Sequence, residues 1–291
     1  MTVFRELAPA KINLTLEILG RRRDGLHELR SLVAFADVGD TLALDVSRAP
    51  GVTISGPFAG DLVGPNILDR ALTLLADRAP HLKLGAVHLE KMLPVAAGVG
   101  GGSADAGALL RAVRRANAEV TGGVDWHGIA GELGADVPVC FEARALWMTG
   151  TGDVLSDIDG GVPALHVVIV NPMAAVPPDK TAQVFRALSA VPLDEGASLA
   201  PAPPVFADRE ALVVFARARG NHLAPAARTI VPEIGAVLSA LHALPDVEHV
   251  AVSGGGPTVF GVFPDAAAAE AARHQLAAAQ REWWIVSAKL G

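Results

Sequence analysis

An α+β fold is what this 291-residue sequence predicts, and three observations carry the prediction. The early part of the chain alternates apolar and polar residues in short runs, the pattern of half-buried strands. A glycine-rich segment then stands between a strand pattern and a helix pattern. The second half alternates helical and extended patterns, as a split βαβ arrangement does.

Taken in order, residues 12–19 alternate as a strand and 20–25 follow as a turn. Residues 32–38 and 41–46 read as two strands broken at Asp37-Val-Gly-Asp40. Asn66 opens a helix to about Arg78, with Ile67, Leu68, Ala71, Leu74 and Leu75 on one side. Residues 86–91 form a strand leading into the glycines, and a helix over 104–118 follows them. A further helix starts at Asp125 and stops at Leu133-Gly134, and Ala135-Asp-Val-Pro138 reads as a turn. Residues 165–170 are a buried strand, and the Pro, Ala and Ser content of 192–207 marks a surface loop. Helices over 208–217, 227–243 and 265–279 then alternate with strands over 249–253, 258–263 and 283–288. No repeat recurs at a fixed period.

Composition narrows the function. Hydrophobic residues make up 51% and charged residues 19%, which suits a filled globular core. The net charge of −7 and the scattered lysines and arginines argue against nucleic acid as a partner. The one basic cluster, Arg21-Arg22-Arg23, is either a solvated hairpin tip or a clamp for an anionic substrate. One cysteine, Cys140, leaves no internal disulfide and no cysteine metal cluster, and its apolar neighbours mark it as a small buried residue. No apolar run reaches the length of a membrane span, and charge at Arg5 and Glu6 precedes any signal-like core, so the expected location is the cytoplasm.

The glycine segment is the main functional signal. In Pro94-Val-Ala-Ala-Gly-Val-Gly-Gly-Gly-Ser-Ala-Asp-Ala106, four glycines precede Ser103, a good N-cap for the helix with Leu109, Val113 and Ala116 at its spacing. Such a loop presents free N–H groups at the positive end of a helix, where phosphate binds well. The alternative is a flexible linker, but linkers carry several serines and no helix behind them. The spacing fits neither a Walker P-loop nor a dinucleotide fingerprint. A second glycine stretch, Ser253-Gly-Gly-Gly-Pro257, lies between two strands and is either a tight hairpin turn or a ligand-facing loop near the first.

A nucleotide loop calls for an acceptor base and a charge stabiliser. Lys11 and Asn13 share one face of an apolar strand by its period of two. Lys11 is unusual there, unless it is a strand-edge lysine with its head in water. Asp136 precedes an apolar run and is either a base or an Asx-turn residue. A carboxylate takes the proton that an alkyl hydroxyl gives up on phosphorylation, and a cation beside it favours the developing alkoxide. His27, after Asp24-Gly-Leu26, is open between a structural and a functional role, and no His-Glu-x-x-His or comparable metal-ligand cluster is present.

Together these stretches resemble the GHMP kinases, the superfamily of galactokinase, homoserine kinase and mevalonate kinase. The resemblance rests on 8–14, 94–106 and 252–258, sharpened by Pro9-Ala-Lys-Ile-Asn-Leu14, Arg22-Arg-Asp-Gly-Leu-His27, Asp37-Val-Gly-Asp40 and Leu133-Gly-Ala-Asp-Val-Pro138, and it covers essentially the whole chain. It implies a ribosomal-protein-S5-like N-terminal domain over 1–158 and a ferredoxin-like C-terminal domain over 159–291, with the active site in the cleft between them. It implies an ATP-dependent kinase of isoprenoid biosynthesis, monomeric or weakly dimeric, whose acceptor alcohol is borne by a cytidine diphosphate derivative. Other readings on the same fold are a kinase for homoserine or a mevalonate derivative and a silent nucleotide or metabolite sensor. By position, the resemblance implies that Lys11 and Asp136 are catalytic. Pro94, Ala96, Ala97, Gly98, Val99, Gly100, Gly101, Gly102, Ser103, Ala104 and Asn66 would bind ATP. Asn13, His27, Thr181, Phe185, Gly254 and Gly255 would bind the acceptor. Magnesium is expected with ATP, resting on its phosphates and not in a carboxylate cage. The chain departs from the family pattern at Leu26, where an aromatic residue is usual, and at Gly255 and His222; with no tyrosine present, stacking on cytosine would fall to Phe185 or to apolar contact.

Overall fold

The computed structural model describes residues 2–62, 64–177, 179–193 and 202–291. The element order is β1 (Val3–Asn13), β2 (Glu17–Arg21), β3 (His27–Asp45), β4 (Gly51–Ser55), α1 (Ile67–Arg78), β5 (Ala86–Glu90), α2 (Gly101–Ala116), α3 (Trp126–Leu133), α4 (Val137–Glu142), β6 (Leu146–Gly150), β7 (Val154–Ser156), β8 (Leu165–Asn171), α5 (Lys180–Ala187), α6 (Arg209–Arg219), α7 (Ala224–Ile230), α8 (Glu233–His242), β9 (His249–Val252), β10 (Val259–Phe263), α9 (Ala266–Ala279) and β11 (Trp284–Leu290). Packing groups these elements into two units that interleave along the chain: Met1–Lys11, Val38–Val95 and Gly100–Arg144 in the first, Ile12–Asp37, Ala96–Val99 and Ala145–Gly291 in the second. Strands β1 and β3 each contribute residues to both, and position 158 lies inside the second unit.

In the first unit β4 runs parallel to β5, with Val52 opposite Val87, and β5 runs antiparallel to the end of β3, with Leu42 opposite Leu89. Helices α1 to α4 pack on one another. Leu42, Leu44, Val87, Leu68, Leu75, Leu109 and Val113 are buried, each worth about 1.5–3 kcal/mol relative to exposure. The side chains of Asn66 and Asp125 cap α1 and α3 by accepting from the N–H groups of Leu68 and Gly128.

In the second unit β11, β8, β10 and β9 form an antiparallel sheet in that order; Ile169 pairs with Val286 on one side and Phe260 on the other. Helix α9 lies against β8, β10 and β11, and α8 against β9 and β10. The start of β3 pairs with β2 and β6, and β6 with β7. Within β8 the apolar run Val167 to Val170 is wholly buried, as a strand covered on both faces requires.

Several local expectations change. The strand expected over 12–19 is split: β1 ends at Asn13, and Leu14 and Thr15 turn their N–H groups to the Leu32 carbonyl before β2 begins. The expected break at 37–40 does not occur, and β3 runs through it. Asp40, a turn former by type, instead accepts from the N–H groups of Met92 and Leu93. Helix α2 starts at Gly101 rather than 104, with Gly100 as its left-handed N-cap, so Ser103 lies inside the first turn and caps nothing. The turn at 135–138 opens α4, with Pro138 in its first turn, where a missing N–H costs nothing. The helix expected over 227–243 is two, because Pro232 cannot continue α7. Strands β4, β6 and β7 and helix α5 are additions, and the loop at 192–207 lies in part, at 194–201, outside the described residues.

Candidate active site

Lys11 stands in β1 among Ala8, Pro9, Ala10 and Ile12, and the apolar run draws it into the interior, where it is 4% exposed. A buried ammonium needs a counter-charge. Asp136 supplies it, with Oδ1 2.8 Å from Lys11 Nζ. The Asp136 side chain is 43% exposed, so one end of the pair is enclosed and the other is open to a ligand. The position of Asp136 follows from helix packing. Helix α4, which it precedes, lies so close to α2 that a Cβ on Gly107 would meet the Cys140 carbonyl carbon at 2.6 Å; only glycine permits that approach. Burial pushes the Cys140 thiol up to about 12, so it is inert packing beside the pair.

The start of α2 adjoins the same lysine. A Cβ on Gly100 would lie 3.3 Å from Lys11 Cβ and 3.4 Å from Lys11 Cε. The N–H of Ala104 already bonds the Gly100 carbonyl, and the N–H groups of Gly101, Gly102 and Ser103 precede the intrahelical ladder. A helix start of this kind, beside an ammonium, suits the phosphates of a nucleotide. Pro94 and Ala104 are buried, while Gly102 is exposed.

Sequence reasoning missed a second charged cluster in this unit. Lys91, at the end of β5, is 2% exposed and lies 2.5 Å from Asp40 Oδ2 and 2.7 Å from Asp105 Oδ2. Asp105 belongs to α2 and its other oxygen, Oδ1, is buried without a partner. Burial would lower the Lys91 pKa, but Asp105 and Asp40 hold it above the usual lysine value. Burial, and then the charge of Asp40, raise Asp105 to about 7 against the pull of Lys91. A Cβ on Gly101 would sit 3.3 Å from Lys91 Nζ, so the cluster underlies the first turn of α2. The available signal was the one that found Lys11, a charged residue interrupting an apolar run.

The remaining loop residues belong to the second unit. Ala97 accepts from the Thr258 N–H at 3.1 Å, and a Cβ on Gly98 would meet the Gly256 carbonyl oxygen at 2.2 Å. The second glycine stretch is therefore the hairpin turn between β9 and β10, and residues 96–99 rest on it. Ala96, exposed, and Gly98 take positive φ, at 57° and 81°, and Val99 is buried. Asn13 adjoins this turn: its N–H donates to Ser253 Oγ at 3.2 Å, and its Oδ1 lies 3.4 Å from the place of a Gly254 Cβ. Asn13 Nδ2 donates to Ser31 Oγ at 2.8 Å, which fixes the amide. Asn221 closes the turn from outside by donating to the carbonyls of Val252 and Gly254.

His27 and Phe185 come together in the same unit, with ring centroids 5.0 Å apart and planes tilted by 33°. They line a cavity of about 430 Å³ with Arg21, Leu26, Leu29 and Thr151. Burial, and then the charge of Arg21, lower the His27 pKa, so the imidazole is neutral near pH 7. Leu26 is 54% exposed at the rim, where it presents apolar surface in place of a ring. Thr181 is exposed on α5. The structure thus gathers Lys11, Asp136 and the start of α2 in one unit, and Asn13, Gly254 and Gly255 by the hairpin and His27 with Phe185 in the other. Asn66, in the first unit, spends its side-chain oxygen on the cap of α1.

The chain is similar to known proteins along nearly its whole length. The family pattern "GHMP kinases N terminal domain" matches residues 66–143, and "GHMP kinases C terminal" matches 209–282. A relative from Methylobacterium radiotolerans, named 4-diphosphocytidyl-2-C-methyl-D-erythritol kinase, is 46% identical over 98% of each chain. A crystal structure of 4-(cytidine 5'-diphospho)-2C-methyl-D-erythritol kinase superposes with a TM-score of 0.75 at 32% identity over 99% of each chain. The homoserine kinase of Cytophaga hutchinsonii gives a TM-score of 0.64 at 15% identity, over 99% of this chain and 95% of that one, a likeness of fold. With both halves of the pattern present in order and relatives matching from end to end, this chain belongs to the GHMP kinase family.

Proposed function

We propose that the chain is an ATP-dependent kinase that phosphorylates the 2-hydroxyl of 4-diphosphocytidyl-2-C-methyl-D-erythritol, the compound for which its full-length relatives are named. The observation that carries the reading is the Lys11–Asp136 pair, 2.8 Å apart beside the glycine-capped start of α2. The Asp136 carboxylate takes the acceptor proton as the hydroxyl oxygen bonds to the γ-phosphorus and the bond to the β–γ bridging oxygen breaks, releasing ADP. The Lys11 ammonium stabilises negative charge on the acceptor oxygen, and the N–H groups of Gly101 to Ser103 hold phosphate oxygens; most of the acceleration comes from placing these groups. His27, neutral, and Phe185 offer a hydrogen-bonding edge and a ring face to the cytosine.

Magnesium neutralises phosphate charge when it accompanies ATP. The chain is a poor fit to a dedicated metal cage: Asp40 and Asp105 are engaged with Lys91, and among the described residues no three His, Cys, Asp or Glu side chains gather to hold an ion. The ion is assigned to the nucleotide phosphates. Among the described residues no helix is long and apolar enough to cross a membrane.

The test is a phosphorylation assay on the cytidyl compound beside mevalonate and homoserine, with the product position read by phosphorus NMR. Turnover confined to the cytidyl compound, at its 2-hydroxyl, is expected. Preference for mevalonate or homoserine would overturn the assignment.

A further inference from the structure

Three lysines are buried among the described residues: Lys11, Lys91 and Lys180, the last 6% exposed. Lys11 has one carboxylate and Lys91 has two. Lys180, the first residue of α5, has none. Its Nζ donates to the Gly256 carbonyl in the hairpin turn, and among the described residues no acidic group lies within ion-pair distance. Asp179, next in the chain, is engaged with Gln183 and Arg186. Arg186 on α5 and Arg228 on α7, which packs on it, are the other charged residues of these two helices, and burial lowers the Lys180 pKa to about 8. An ammonium has three N–H donors, and one is used. A cation kept from water without a counter-charge is costly, so the arrangement is incomplete as it stands.

The hairpin that receives Lys180 also carries backbone donors without a protein acceptor. The N–H groups of Gly254 and Gly255 donate no hydrogen bond among the described residues, whereas that of Gly256 bonds the Ser253 carbonyl. Gly254 takes φ 54°, and both glycines are partly exposed. Helix α5 lies against the turn, since a Cβ on Gly255 would touch Val184 Cγ1 at 4.0 Å. An uncompensated ammonium and two free backbone donors on one turn are complementary to an anion with several oxygens.

We propose that Lys180, which the family resemblance does not mark, adds its ammonium to the acceptor-binding hairpin of Gly254 and Gly255 and there binds the diphosphate of the cytidyl acceptor. This rests on the acceptor class given above. Helix α5 supports the choice of the acceptor over ATP, because it also carries Phe185, the ring that meets His27. Lys180 and Phe185 lie five positions apart on that helix, about 7.5 Å along its axis. One helix thus presents a face for the base and a charge for the diphosphate.

Calorimetric titration with CDP and with cytidine reads the site directly. The native protein binds CDP more tightly than cytidine. Lys180→Met cuts that advantage by roughly tenfold or more, and Lys180→Arg retains most of it. The Met variant raises KM for the cytidyl acceptor by a similar factor, leaves KM for ATP unchanged, and melts no lower than the native protein, since it deletes a buried charge that lacks a partner. In the native enzyme kcat/KM for the acceptor falls above about pH 8, as Lys180 loses its proton, and the Met variant lacks that limb. An unchanged CDP advantage in Lys180→Met overturns the proposal. So does an equal loss for CDP and ATP with a lower melting temperature, which makes the lysine an anchor of the turn. If the native protein phosphorylates no cytidyl compound, the acceptor assignment fails on that count, while the CDP and cytidine titrations still decide the anion site.

Discussion

Lys11 and Lys91 belong to the same unit, are almost equally hidden and adjoin the same glycine-led helix, yet their surroundings give them different work. Lys11 meets one carboxylate, and that carboxylate is 43% exposed. Lys91 meets two, Asp40 and Asp105, whose side chains are 0% and 4% exposed. The first pair is open on one side and leaves hydrogen-bonding capacity for a ligand. The second is closed by protein and ties the end of β5, through Met92, Leu93 and Asp40, to α2. Burial of the cation is common to both; access to its partner separates a group that can take part in chemistry from one that holds the loop in place.

The sharpest way to break this comparison is to neutralise one carboxylate of each cluster. Asp136→Asn is expected to lower kcat by about 10³-fold or more, with ATP affinity nearly unchanged, as steady-state kinetics and nucleotide titration would show. Comparable turnover in the variant removes Asp136 from the mechanism. Lys91→Met leaves two carboxylates facing each other in the interior and is expected to destabilise by about 3–5 kcal/mol in denaturant titration. A stable Lys91→Met enzyme with impaired ATP binding would instead make Lys91 a nucleotide contact.

A smaller effect separates the clusters by pH. Burial, with Asp40 beside it, holds the Asp105 carboxyl above its ordinary 3.8, at about 7, so between those values the folded protein holds a proton that the unfolded chain has lost. Its contribution to stability therefore falls as pH rises from about 4 to 7. In Asp105→Asn that part of the decline is absent, and the melting-temperature difference between variant and native protein should move by a few degrees across the window. Parallel curves would show that Asp105 is ionised throughout.

Sequence reasoning reached Lys11 and Asp136 because one interrupts an apolar strand, the other precedes an apolar run, and both fall in stretches that resemble the family. It missed Lys91 and Asp105, which carry the same local signal, since nothing local says that two such interruptions meet. The break expected at Asp37-Val-Gly-Asp40 has the same cause: Asp40 resembles a turn former until its carboxylate is seen bonding the N–H groups of Met92 and Leu93. Ser103 was mistaken for a cap because serine caps well, while the helix begins at a left-handed glycine that a side-chain criterion overlooks.

By itself the sequence determined what depends on near neighbours. The caps at Asn66 and Asp125, the strand before the glycines and the helix after them follow from side chains a few positions away. Only the tertiary structure decided which buried charges find partners. Whether a lysine inside a protein meets one carboxylate, two or none depends on residues far along the chain, and the cost of leaving it alone is set by a burial that no local window contains. The contrast among Lys11, Lys91 and Lys180 is therefore invisible in their flanking residues and plain in the fold.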